Sequence, residues 1–233
     1  MTEPRVAVLI DADNVSGDHA AAVLEEAGMQ GRVIIRRIYG DWTETAGKKW
    51  KKVLSDLAIH PVQQFQNTIG KNATDSALII DGMDLLHQDA AEVFCLISSD
   101  ADFTRLASRM RESAKTVVGI GQKKTPKAFV NACDRFIFIE NLTRVPKARG
   151  DKPVPAPTLA PEAGDLLMRA FDDAENDEGV AYLGALGSAL LKLDPSFDAR
   201  TYGFRRLSDL VSADSRLNMV KHATKNAKVV QRV

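Results

Sequence analysis

The sequence predicts an α/β domain built on a parallel sheet with helices on both faces, followed by a small winged helix-turn-helix domain. Three observations predict it. Across residues 1–140, short runs rich in Val, Ile or Phe alternate with helix-like stretches. A proline-rich stretch then breaks the pattern: five of the nine prolines fall between Pro146 and Pro161. Beyond it the chain reads as helices until its tail, where RLNMVKH and AKVVQRV look like two strands around a polar turn.

Strands are predicted at 5–10, 32–39, 61–66, 93–97, 115–120 and 135–139. Helices are predicted between them at 18–28, 47–58, 73–87, 102–112 and 126–133. The last has Thr125 as cap and Pro126 at its first position, where a missing N–H is harmless. Strand–helix alternation of this kind means parallel pairing with crossover helices. The first domain is expected over 1–145, a semi-extended linker over 146–161 and the second domain over 162–233. Within the second domain, helical patterns span 162–175, 179–192 and 198–212.

Composition excludes some classes of function. Hydrophobic content of 45% is enough to build real cores. The net charge of zero means that any nucleic-acid binding comes from local patches. Cys95 and Cys133 lie in apolar contexts and read as reduced core residues, which fits a cytoplasmic protein. The apolar run before Asp11 is too short for a signal peptide or a membrane span, so no membrane partner is expected.

Three segments set carboxylates at the start of a turn or helix: VLIDADN (8–14), NATD (72–75) and SSDADF (98–103). The first and third directly follow apolar strand-like runs. A parallel sheet gathers the C-terminal ends of its strands at one edge, where ligands bind. Asp11, Asp75, Asp100 and Asp102 are therefore expected to meet. Such carboxylates repel unless a cation sits among them. An acidic set without thiol or imidazole suits Mg²⁺ or Mn²⁺, and the matching chemistry is hydrolysis of a phosphodiester. Asn14 fixes the first turn or orients a ligand, and Ser99 supports the Asp100/Asp102 pair.

Helix capping competes with each assignment. Asp13, Asn14 or Ser16 caps the first helix, and one acid of SSDADF would satisfy the next. A second acid two residues away adds repulsion that a cap does not need. Asp75 lies in the first turn of its helix, with Thr74 or Asn72 as cap. At about 100° per residue, Asp81 and Asp84 point roughly 120° and 180° away from Asp75, so the three do not serve one site. Asp81 reads as a partner-facing or structural acid.

Candidate nucleic-acid contacts are Trp42, Lys71, Lys123 and Lys124 in the first domain, the lysines for phosphate and Trp42 for stacking. The run KKWKK at 48–52 reads as a solvated face with Trp50 packed inward. In the second domain the candidates are Tyr202, Arg205 and Arg206. After Asp214 the chain holds Arg216, Lys221, Lys225, Lys228 and Arg232 and no acid, which predicts a basic ridge on a two-stranded wing. The bland alternative puts Tyr202 and Phe204 in the core.

The segment Asp11-Ala-Asp13-Asn14-Val15 also resembles the nucleophile motif of haloacid-dehalogenase phosphatases. That family needs a lysine between its first and last acidic motifs, and Lys115 falls after SSDAD. A closer resemblance lies in the order LIDADN, GKNATDSALIIDGMDLL, ISSDADF, GIGQKKTPKAF and FIFIENL. Over residues 4–142 it resembles the NYN domains, PIN-like nucleases of the LabA-like bacterial group. The resemblance implies a PIN-like fold and a divalent-metal ribonuclease whose products carry a 5′-phosphate and a 3′-hydroxyl. By motif position, Asp11 and Asn14 fall on the first-strand motif, Asp75 on the central acid, and Asp100 and Asp102 on the strand-four pair. The segment LGALGSALLKLDPSFDARTYGFRRLSDLV is similar to OST-HTH, or LOTUS, domains, which implies an RNA-associated winged helix. The expected partner is RNA, single-stranded or structured, with homo-oligomerisation left open. The alternative is a non-catalytic RNA-binding adaptor.

Overall fold

A computed structural model describes residues 2–43, 50–51, 53–65, 73–142, 158–221 and 228–233. The first unit spans Met1–Val145 and the second Pro146–Val233. In the first, β1 (Arg5–Asp11), β2 (Arg32–Gly40), β3 (His60–Gln63), β4 (Val93–Ile97), β5 (Thr116–Gly121) and β6 (Arg135–Phe138) form one sheet, in the order β3-β2-β1-β4-β5-β6. Every pairing in it is parallel. The order reverses between β1 and β4, which opens a crevice beyond the carboxyl ends of these two strands.

Both faces of the sheet are covered, which is why β1 reads as a continuous apolar run. Side chains alternate along a strand. Ala7, Leu9, Phe94 and Leu96 face one core, with Leu78 and Leu85 of α2 (Ala73–His87), Leu106 and Met110 of α3 (Thr104–Glu112) and Phe129 of α4 (Lys127–Ala132). Val6, Val8, Ile10, Cys95 and Ile97 face the other, with Val23 of α1 (Ala20–Gly28), Trp50, and Ile139 of α5 (Ile139–Leu142). Trp50 is 2% exposed and its Nε1 donates to the Val15 carbonyl at 3.1 Å, so it packs inward as its flanking lysines imply. Of those flanking lysines, Lys51 is exposed, and Lys48, Lys49 and Lys52 lie outside the described residues. Cys95 and Cys133 are free and buried, and burial pushes both thiols up to about 12.

The second unit holds α6 (Pro161–Ala174), β7 (Val180–Tyr182), α7 (Leu183–Leu193), α8 (Leu207–Ser212), β8 (Leu217–Lys221) and β9 (Lys228–Arg232). Its three strands are antiparallel in the order β7-β9-β8. Leu167, Phe171, Leu186, Leu190, Leu210, Val211 and Val230 form its core.

Two expectations are corrected here. The helix predicted over 179–192 starts only at Leu183, because Val180–Tyr182 pairs with β9 as a third strand. The helix predicted over 198–212 is two pieces. A 3-10 turn, Ala199–Tyr202, ends at Gly203 with φ +87, a left-handed conformation that glycine adopts without strain, and α8 starts afresh at Leu207. Of the proline-rich stretch, residues 146–157 lie outside the described residues, and Pro161 stands at the first turn of α6.

Candidate active site

The residue pair Ile10↔Ile97 is the last rung between β1 and β4. One step further, Asp11 and Ser98 meet: the Ser98 Oγ donates to Asp11 Oδ2 at 2.8 Å. Asp11 shares its strand face with Ala7 and Leu9, so it turns toward the side that carries α2 and α3. It is 0% exposed and fully engaged. Asn14 Nδ2 donates to Oδ2 at 2.7 Å, and the backbone N–H of Asp13 donates to Oδ1 at 3.0 Å. Burial raises the Asp11 carboxyl above its ordinary value, and the bonds from Ser98 and Asn14 oppose that shift.

Ser98 links the two strand ends. It is 1% exposed, and while it donates to Asp11 its Oγ accepts the backbone N–H of Asp100 at 3.0 Å. Asp100 in turn caps the 3-10 turn Ala101–Phe103, its Oδ1 accepting from the Asp102 N–H at 2.9 Å. Capping and clustering are therefore not exclusive: Asp100 does both. Ser16 caps the turn at Gly17–His19, which leaves Asn14 for Asp11.

Asp75 comes from the first turn of α2. Carboxylate oxygens of Asp75, Asp100 and Asp102 lie within 4.8 Å of one another. Burial, and then the charges of Asp11, Asp100, Asp102 and Asp13, push the Asp75 carboxyl up to about 6. Asp11 thus bears on the cluster through its charge, while its oxygens are held by Ser98, Asn14 and the Asp13 N–H. Thr74 is 3% exposed and its Oγ1 has no hydrogen-bond partner among the described residues, so it does not cap α2. Asn72, the other cap considered, and Lys71 lie outside the described residues. Asp81 is occupied elsewhere: it accepts from Arg37 at 2.8 Å and from the Tyr39 hydroxyl at 2.7 Å.

The turn after β5 borders the cluster. The Ser99 Oγ accepts the Gln122 N–H at 2.8 Å, which brings Lys123 and Lys124 beside the β4 end, both exposed. Pro126, expected at the first position of α4, precedes that helix, and Thr125 Oγ1 donates to the Gln122 carbonyl at 2.6 Å instead of capping. Trp42 is partly buried against the core and its Nε1 donates to the Val62 carbonyl at 3.0 Å. In the second unit Tyr202 is half-buried against Phe197, with ring centroids 6.0 Å apart, and Phe204 is buried. Arg205 and Arg206 are exposed.

Two cations of the basic ridge expected after Asp214 are neutralised. Arg216 is held by Asp214 at 2.7 Å and Asp165 at 3.6 Å. Arg232 pairs with Asp172 and lies 5.6 Å over the Phe171 ring. These acids precede the ridge in sequence and pack against it in space. Lys228 is exposed, and Lys225 and the Lys221 side chain lie outside the described residues.

Sequence reasoning passed over Ser98 in favour of Ser99. Strand alternation carried one residue past Ile97 was the signal that would have found it, since it puts residue 98 on the same face as Asp11.

A parallel sheet whose strand order reverses above a buried carboxylate and three clustered ones defines a PIN-like α/β domain with an acidic edge. The chain belongs to the NYN domain family, whose model matches residues 5–140, and an OST-HTH/LOTUS domain matches residues 157–229. This pairs a nuclease-type domain with a module of an RNA-binding type. A solved protein of unknown function from Vibrio parahaemolyticus RIMD 2210633 is similar at 17% identity, over 57% of this chain and 91% of that one, with a TM-score of 0.48. An uncharacterised protein from Nitrosomonas europaea, solved by solution NMR, is similar at 28% identity over 39% of this chain and 87% of its own, with a TM-score of 0.29. No protein of curated function matches the chain. No described helix is long and apolar enough to cross a membrane.

Proposed function

We propose that the protein is a divalent-metal-dependent ribonuclease that hydrolyses RNA phosphodiester bonds, acting in the cytoplasm. The observation that carries this reading is the meeting of Asp75, Asp100 and Asp102 oxygens within 4.8 Å at the reversal point of an NYN sheet. Three carboxylates at such range, with no thiol or imidazole among them, fit a hard cation such as Mg²⁺ or Mn²⁺. When bound, such an ion activates water and polarises the scissile phosphate. Asp75, Asp100 and Asp102 would hold it. Asp11 adds negative charge beneath them, and Asn14 and Ser98 fix its orientation. Lys123 and Lys124 bind phosphate on the β5 side. Arg205 and Arg206 of the OST-HTH domain add RNA affinity, which the covalent connection turns into local substrate concentration.

The same geometry weighs against the phosphatase reading. A phosphorylated aspartate must reach its substrate, and Asp11 is 0% exposed with both oxygens engaged.

The deciding experiment incubates the full chain with labelled single-stranded RNA in Mn²⁺, Mg²⁺ or EDTA, alongside Asp100→Asn. Cleavage is expected with metal only, and not in the variant. RNA binding without cleavage under every condition would make the protein a non-catalytic adaptor.

A further inference from the structure

The turn after β5 is held at four points. A Cβ on Gly121 would come within 2.4 Å of the Ser98 carbonyl oxygen, so only glycine lets the turn approach β4 this closely. Gln122 N–H is bonded to Ser99 Oγ. Thr125 Oγ1 closes the turn on the Gln122 carbonyl. The Lys123 N–H donates to both oxygens of Glu140, at 3.0 and 3.2 Å. The backbone is thereby fixed to the residues that lead into Asp100.

Its side chains are left unpaired. Lys123, Lys124 and Lys127, three cations within five residues, are exposed and have no ion-pair partner among the described residues. Arg5, Arg37, Arg111, Lys115 and Arg135 of the same unit all hold carboxylates. Two lysines on this turn and one at the start of α4 repel one another, and a polyanion relieves that repulsion. A phosphate chain entering beside Asp75, Asp100 and Asp102 needs such cations, because the carboxylates repel it.

We infer that Lys123, Lys124 and Lys127 form a track for RNA phosphates next to the scissile one, and that Glu140 is the positioning residue that holds this track. The inference rests on the nuclease reading for the identity of the polyanion. Glu140 offers a sharp discrimination. As a mere charge it would repel RNA, and its removal would tighten binding. As the anchor of the turn, its removal loosens the track and weakens binding.

The test uses the full chain and a fluorescein-labelled single-stranded RNA. Binding is measured in an Asp100→Asn background with Mg²⁺, and single-turnover cleavage in the wild-type background. Replacing Lys123, Lys124 and Lys127 together by alanine is expected to lower affinity about tenfold at low salt. It should also reduce the slope of log affinity against log salt by about 2, near 0.7 for each lost phosphate contact on a single strand. Glu140→Ala is expected to weaken binding several-fold and to raise the half-saturating RNA concentration more than it lowers the maximal rate. Glu140→Gln, which keeps an acceptor oxygen, should restore both. The manganese-induced rise in melting temperature, retained in the lysine variant, checks that the acidic site is intact. Should Glu140→Ala fail to fold, the surface lysine variant still decides the track. Wild-type affinity and salt slope in that variant overturn the track, and Glu140→Ala that binds more tightly overturns the role of Glu140. If the wild type cleaves no RNA while the lysine variant loses binding, the nuclease reading fails and the track stands.

Discussion

Asp75 holds its proton to about pH 6, because it is part-buried and faces the charges of Asp11, Asp100 and Asp102. Its folded value lies above its ordinary 3.8, so between the two the folded state binds the proton that the unfolded chain has lost. Metal-free stability therefore falls as pH rises through that window and stays lower above it. A divalent ion competes for the deprotonated carboxylate, so its effect runs the other way. The rise in melting temperature on adding Mn²⁺ is expected to be large near pH 7.5 and to fade as pH drops through about 6. Thermal melts with Mn²⁺ and with EDTA check this, and an equal gain at about pH 5 and pH 7.5 would contradict it. Asp75→Asn should raise the melting temperature in EDTA, by removing a repelled charge, and abolish the manganese effect. Ser98 offers a second measurement. Ser98→Ala leaves a buried Asp11 oxygen and the Asp100 N–H each short of a partner, at a cost of about 1–3 kcal/mol in urea unfolding. A loss below a few tenths of that would mean that the two strand ends are not joined through this hydroxyl. The positions of Asp11, Asp75, Asp100 and Asp102 were legible in the sequence, because strand-end acids in a parallel sheet have one edge to occupy. The burial of Asp11 was not, since it depends on what covers the crevice. Nor was the service of Asp100 as both cap and cluster member, which depends on how the turn after β4 folds.

Among the elements, α2 sets where Asp75 stands, and Asp81 ties α2 to the sheet. Asp81, six residues along, accepts from Arg37 and Tyr39 of β2. Tyr39 is fully buried, and burial together with Asp81 holds its hydroxyl protonated well above the ordinary phenol range. Tyr39→Phe removes this one donor without opening a cavity and should cost about 1.5 kcal/mol, as expected for a bond to a charged acceptor. Chemical denaturation measures the loss. Asp81→Asn should keep RNA cleavage within about threefold, since the residue lies outside the acidic cluster and loses less than about 1 kcal/mol of positioning. Loss of cleavage comparable to that of Asp100→Asn would place Asp81 in the chemistry. The helical phase had already turned Asp81 away from Asp75, and its partners explain what it does there. Where local reading failed, distant pairing or a single residue decided. Val180–Tyr182 became a strand because β9 offered it an edge, and Gly203 broke a stretch whose pattern otherwise ran on as helix. Short strands such as β7 carry too few residues for periodicity to separate them from the start of a helix.

On the scale of the whole molecule, the two units keep separate cores, and their charges are arranged differently. In the first, unpaired lysines flank the acidic cluster. In the second, acids of α6 and its neighbours neutralise Arg216 and Arg232, two of the cations that sequence order alone would count as a ridge. Asp165 and Asp172 lie well before Arg216 and Arg232 in the chain, so a window read along the tail misses them. Arg205 and Arg206, adjacent in the segment that leads into α8, are both exposed and hold no ion pair among the described residues. RNA affinity contributed by the OST-HTH domain should therefore follow this pair. In the full chain, Arg205→Ala with Arg206→Ala is expected to weaken RNA binding and to lower the salt slope by about 1.4, at near 0.7 per contact on a single strand. Arg216→Ala makes the contrast. Its guanidinium is committed to Asp214, which is 4% exposed, so its loss strands a buried carboxylate. That variant should lower the melting temperature of the second unit while leaving the salt slope of RNA binding near the wild-type value. Fluorescence anisotropy at two salt concentrations, paired with thermal melts, separates the two effects. If Arg216→Ala changes the slope as much as the Arg205/Arg206 variant does, the ion pair opens on binding, and the wing itself meets the RNA.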